Sequence, residues 1–128
     1  MSDVQTILSK VGASTVTAFR FVKTNALVID PAIAAGAATL GIAVETATTG
    51  KTVTVNISGL CEVDCAASFV PGETVTSDGN GKAVGVAAGE HILGVYMPVP
   101  VNGAVSNSVS GTRIRINLFA DKKTLGLA

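Results

Sequence analysis

The chain has no tryptophan, one tyrosine and four phenylalanines, so aromatics make up 4% of its 128 residues. That scarcity excludes a core built on large rings, and it counts against a sugar-binding face, which rests on exposed Trp or Tyr. Charge is also sparse: nine Lys plus Arg offset nine Asp plus Glu, and charged residues total 14%. Zero net charge removes the basic surplus needed to neutralise nucleic-acid phosphates. Arg113 and Arg115, at spacing two, fit a solvated strand face better than a phosphate track. The uncharged stretch Met97 to Thr112 is broken by prolines, glycines and asparagines, so it cannot form a membrane-spanning helix. Nor does Met1 open a charged leader followed by an apolar segment and a small-residue cleavage site.

What is abundant is small and aliphatic. Hydrophobic residues make up 48% of the chain, glycines number 14, and the mean hydropathy is +0.53. That hydropathy is high for a monomer with so little charge, and no membrane segment accounts for it. The composition therefore predicts an obligate oligomer or a component of a larger assembly.

One pattern occurs twice. Leu40-Gly41-Ile42-Ala43-Val44 leads through Gly50-Lys51 into the alternating run Thr52 to Gly59. Leu93-Gly94-Val95-Tyr96-Met97 leads, through a longer connection, into Gly111-Thr112-Arg113-Ile114-Arg115-Ile116-Asn117-Leu118. Both read as a Gly-led apolar strand returning into an alternating strand, which predicts an all-β fold, a small β-barrel-like or β-sandwich domain built from two related hairpins. Strands are expected near 39–45, 51–58, 60–65, 73–77, 82–87, 91–97 and 112–119. Asp78-Gly79 and Asn80-Gly81 mark tight turns.

Three segments follow from these patterns: an N-terminal arm and first strand lead-in over 1–20, a β-rich domain over 21–120, and a loose C-terminal tail over 121–128. In the arm, Val4, Ile7, Leu8 and Val11 fall on one helical stripe before Gly12, and Ser2 with Gln5 has capping-box spacing. A helix of this length is marginal alone in water and needs something to pack on. It packs either on its own domain or on a partner. The four residues are candidates for contact with a neighbouring subunit or a larger assembly.

Candidate chemistry is thin. On one strand Cys61 and Cys65 would stand about 13 Å apart, too far for a disulfide. With Glu62 and Asp64 they form a cluster that lacks histidine and matches no usual zinc spacing. A nucleophilic pair of either cysteine with His91 would need an orienting acid and an oxyanion pocket, and Glu90 points to the opposite strand face. No phosphate loop follows the glycines between Gly85 and Gly94. The expectation is therefore no catalytic residue, no metal and no cofactor.

The order of motifs over residues 35–119 resembles the capsid cement, or head decoration, proteins of tailed bacteriophages. The matching pieces begin with Leu40-Gly41-Ile42-Ala43 and with Thr52-Val53-Thr54-Val55 leading into Ser58-Gly59-Leu60. They continue through Val70-Pro71-Gly72-Glu73-Thr74-Val75-Thr76, Asp78-Gly79-Asn80-Gly81-Lys82-Ala83-Val84 and His91-Ile92-Leu93-Gly94-Val95-Tyr96. The arm before Gly12 and the Pro98–Ser110 loop fall outside the match. The resemblance implies a structural virion protein, a homotrimer made in the bacterial cytoplasm. It would sit on the outer capsid surface, bridging neighbouring major capsid protein subunits. It implies no nucleic-acid or membrane partner. The alternative is a β-rich recognition module of carbohydrate-binding or fibre type.

Overall fold

The computed structural model describes residues 5–12, 14–25 and 28–124. Among them are nine strands: β1 (Gln5–Lys10), β2 (Phe21–Asn25), β3 (Val28–Asp30), β4 (Gly41–Ala43), β5 (Thr52–Asp64), β6 (Thr74–Ser77), β7 (Ala83–Gly85), β8 (His91–Tyr96) and β9 (Arg113–Thr124). All join one antiparallel sheet in the order β3-β2-β4-β5-β9-β8-β6-β7, with β1 added on β5. The fold is all-β, as the Gly-Val pattern predicts, and no helix occurs among the described residues.

The repeat extends well beyond two hairpins. It covers two units of five strands each. In the first, β1 pairs with the N-terminal half of β5, then β4, β2 and β3 follow. In the second, the C-terminal half of β5 takes the place of β1 and pairs with β9, followed by β8, β6 and β7. Each unit curls until its last strand meets its first. Ile29 on β3 bridges Val11 just past β1, and Ala83 on β7 bridges Cys65 just past β5. The registers agree residue for residue. Val22 pairs with Gly41 as Val75 pairs with Gly94, and Ile42 pairs with Asn56 as Val95 pairs with Asn117.

The connections repeat too. The Phe19 N–H donates to Ala43 O at 2.7 Å, and the Gly72 N–H donates to Tyr96 O at 2.9 Å. Phe19 and Gly72 both have positive φ, 63° and 87°. Ala34-Ala35-Gly36 and Ala87-Ala88-Gly89 form the same turn, closed by Ala37 N to Ala34 O and by Glu90 N to Ala87 O, each at 3.1 Å.

The shared backbone is filled differently in the two units. Around the first core lie Val11, Val16, Val22, Ile29, Ala43, Val53 and Val55, all buried. Their counterparts in the second are Cys65, Phe69, Val75, Ala83, Tyr96, Ile114 and Ile116. Where the first unit has Val16 and Ala43, the second has Phe69 and Tyr96, whose ring centroids are 6.0 Å apart. Its smaller Ala83 and Cys65 replace Ile29 and Val11, which offsets the added volume at close-packed density. Phe21, Ile33 and Ile42 of the first unit join the second cluster, so the units share a continuous apolar junction.

Three expectations are corrected. The N-terminal segment is a strand and no helix: Gln5–Lys10 pairs with β5 from Ser58 to Thr52, which satisfies backbone groups that a short isolated helix would leave to water. The strands expected at 51–58 and 60–65 are one strand. Gly59, at φ 96°, lets the chain pass from β1 to β9 as partner without stopping. The tail expected from Asp121 instead continues β9 to Thr124, where it pairs with His91 on β8. Residues 125–128 of that segment lie outside the described residues.

Candidate docking surface

The outward residues of β1, β5 and the connection after β4 form a row in each unit. In the first, Leu8 is paired with Thr54, and the Val44 N–H donates to Thr54 O at 3.0 Å. Residues directly opposite in a ladder share a face, so Leu8, Thr54 and Val44 stand side by side. Leu8 is 70% and Val44 38% exposed. The second unit places Glu62, Arg115 and Met97 in the same three positions, with Met97 N donating to Arg115 O at 3.0 Å.

The two rows differ in the connection that borders them, and in both the residue after the fourth or eighth strand stays exposed, Val44 at 38% and Met97 at 41%. In the first unit the chain returns to β5 through residues 44–51. In the second the equivalent connection runs over 97–112 and folds back beside its own row. Arg115 fixes its base, with Nε donating to Met97 O at 2.8 Å and Nη2 to Pro98 O at 3.2 Å. Farther along, Tyr96 Oη donates to Ser106 O at 3.1 Å, and the Phe69 N–H donates to Ser108 Oγ at 2.8 Å. Between loop and sheet lies an open groove of about 380 Å³, with Glu62 and Arg115 among its lining and Val99 and Val101 along the loop side. The valines of the loop stay in solvent: Val99, Val101, Val105 and Val109 are each at least half exposed, with Val99, Val101 and Val109 along the open groove. Val70 and Met97 add to this apolar, uncharged surface.

The four contact candidates read from the sequence are dispersed. Val11 is 2% exposed and belongs to the first core. Ile7 is half-buried and packs against that core. Leu8 alone is fully outward, and Val4 lies outside the described residues. The strand period separates Ile7 from Leu8, which a helix would have set on one stripe. The loop valines went unidentified as contacts. Their signal was present in the absence of any charge between Met97 and Thr112, combined with four valines in a Pro/Gly/Asn-rich connection.

The other chemistry-bearing residues are placed as follows. Cys61 and Cys65 are buried cysteines, outside any disulfide, on the inward face of the second unit. Cys61 Sγ donates to Gly59 O at 3.1 Å, and Cys65 Sγ to Val109 O at 3.4 Å. His91 sits at the junction of the units, its N–H donating to Gly36 O at 2.9 Å and its Nδ1 lying 3.2 Å from the same oxygen. Glu90 is turned to its own loop, where Oε1 accepts the Ala87 N–H at 2.8 Å. Asp64 accepts Arg113 Nε at 3.1 Å, and the Arg113 guanidinium carbon lies 3.6 Å from the Phe19 ring centroid. These groups are committed to the chain's own fold.

Comparison with known proteins gives two likenesses. The family described as phage cement protein matches residues 1–114. Among solved structures, the head fiber gp8.5 N base of bacteriophage phi29 superposes with a TM-score of 0.67. The two share 16% identity over 94% of this chain and 98% of that one, a likeness of fold. No curated protein sequence matches.

Proposed function

We propose that this chain, which belongs to the phage cement protein family and is therefore a structural component of the phage head, binds the outer capsid surface as a homotrimer and bridges neighbouring major capsid protein subunits. The observation that carries the reading is the uncharged, outward apolar surface on a chain of that family. Val99, Val101, Val105 and Val109 are exposed on a loop anchored at both ends, an arrangement suited to burial against another protein. Such burial stabilises a shell by roughly 25 cal/mol per Å² gross, less the ordering costs. Repetition over the head multiplies modest contacts.

A structural, non-catalytic role is supported by the engagement of both cysteines and the histidine in packing and hydrogen bonding. A sugar-binding role is disfavoured by the placement of Tyr96. This single tyrosine is buried, and its hydroxyl is engaged by Ser106.

The test is to add purified protein to heads that lack it and image them by cryo-electron microscopy. Density at local threefold positions, touching more than one capsid subunit, is the expected result. Heads that stay bare at saturating protein would overturn the attachment reading.

A further inference from the structure

The chain holds three arginines, and two of them are engaged. Arg113 pairs with Asp64 and lies over the Phe19 ring, while Arg115 donates to Met97 O and Pro98 O. Arg20 differs. Its Nε is shielded from solvent and meets no acceptor, and its guanidinium forms no ion pair among the described residues. The outer nitrogens likewise have no partner and keep access to solvent. A cationic donor so placed has lost part of its hydration without a protein acceptor to replace it.

Arg20 lines a cavity of about 210 Å³ where the two units meet. Thr15, Thr17 and Pro31 contribute from the first unit, and Gly79 and Asn80 from the turn between β6 and β7. The Phe21 N–H donates to Gly81 O at 2.8 Å and ties that turn to the first unit. No carboxylate belongs to the lining. The acids adjoining it in sequence are turned to their own backbone. Asp30 Oδ1 accepts the Ala32 N–H at 2.9 Å, and Asp78 Oδ1 accepts those of Asn80 and Lys82 at 2.8 and 2.9 Å. The duplication indicates what the cavity takes. Arg20 stands in the place of Glu73: Arg20 O accepts the Ala43 N–H at 3.0 Å as Glu73 O accepts the Tyr96 N–H at 2.9 Å. In the second unit the Glu73 carboxylate turns back to accept the Val70 N–H at 3.0 Å. Thr17 is the counterpart of Val70, and its N–H has no acceptor among the described residues. The first unit has exchanged the carboxylate for a cation and kept the donor.

We propose that the cavity beside Arg20 binds a carboxylate, either a free one or one carried by an Asp or Glu side chain of a docked protein. The planar guanidinium matches the two oxygens of a carboxylate, and charge-assisted bonds of this kind are the stronger class. The Thr15 and Thr17 hydroxyls and the Asn80 amide offer further donors at the same cavity. The experiment uses the full chain labelled with nitrogen-15, whose three arginines give three Nε–H resonances. Arg20→Lys, by removing one of them, assigns it. Sodium acetate replaces sodium chloride stepwise at constant ionic strength. The Arg20 resonance is expected to shift saturably, with a dissociation constant in the millimolar range, while those of Arg113 and Arg115 do not saturate.

An Arg20 resonance that moves no more in acetate than in chloride would overturn the site. Phosphate saturating it at lower concentration than acetate would overturn the carboxylate assignment. Both readouts are taken on wild type, so they stand even where a variant fails to fold. Head binding then distinguishes the two sources. Folded Arg20→Gln that attaches about tenfold more weakly, with acetate competing against wild-type attachment, assigns the cavity to an acidic side chain of the capsid protein. Attachment untouched by Arg20→Gln and by acetate assigns it to a free carboxylate. Heads that wild type leaves bare sink the attachment reading alone, because the acetate titration needs no head.

Discussion

Gly41 lies so close to Asn56 that a Cβ added to it would stand 2.0 Å from the Asn56 carbonyl oxygen, and Gly94 repeats the contact with Asn117 at 2.5 Å. The obstructing atoms are backbone in the neighbouring strand, which cannot swing aside as a side-chain tip would. Gly41→Ala is expected to cost about 3 kcal/mol and Gly94→Ala about 2 kcal/mol, within the range for overpacking a closed site. Urea denaturation of both variants checks the size and the order of the two effects.

The counterpart positions Phe19 and Gly72 separate backbone strain from packing. A Cβ at Gly72 would meet nothing within 4 Å, yet its φ is 87°. Gly72→Ala therefore isolates the left-handed penalty, about 1–2 kcal/mol. Thermal melting is expected to show a loss of that size with head binding unchanged. Phe19 carries the same penalty natively and is held by the Arg113 guanidinium over its ring.

Neighbouring residues at the N-terminus are expected to behave oppositely. Val11→Ala removes a side chain from the first core and is expected to destabilise by about 2 kcal/mol. Leu8→Ala, on the outward face, should stay within about 0.5 kcal/mol of wild type for the folded monomer. Deleting residues 2–12 removes Val11 and strips β1 from β5, so it should lower the melting temperature sharply. A truncated protein that melts like wild type would show that the first unit closes without its first strand.

Cys61 and Cys65 are 5% and 1% exposed and form no disulfide. Native protein is expected to show no fast-reacting thiol toward a colorimetric disulfide reagent, and unfolding should release two. Any native-state reaction at the mixing time would mean that the second core opens readily.

The sequence displayed the all-β class through its Gly-led apolar runs, and the Asp78–Gly81 turn through its composition. Asp78 Oδ1 indeed accepts the N–H groups of Asn80 and Lys82. The first strand was hidden because Ser9 interrupts the inward set Ile7, Ser9 and Val11, leaving a stripe that fits helical spacing equally well. Gly59 hid the length of β5, since a glycine between two alternating runs reads as a break when it can also be a bulge. The outward surface was partly legible. Hydropathy marks the valines of the long loop as apolar, but only tertiary structure shows that they stay outside while Val11 goes in. The duplication was visible at the Leu-Gly-Ile and Leu-Gly-Val strands. It was obscured elsewhere by core positions exchanged between Ala and Tyr or Val and Phe.

The long strand β5 closes one unit and opens the other, so one uninterrupted strand runs through the joint between them. A pull that separates the two units loads this extended backbone together with the apolar junction around Phe21, Ile33 and Ile42. The strand's ladder bonds to β1 and to β9 lie across the direction of load and are strained together, rather than opened one at a time from an end. Built this way, the protein resists stretching as a tie bar does, with a covalent member running through the joint.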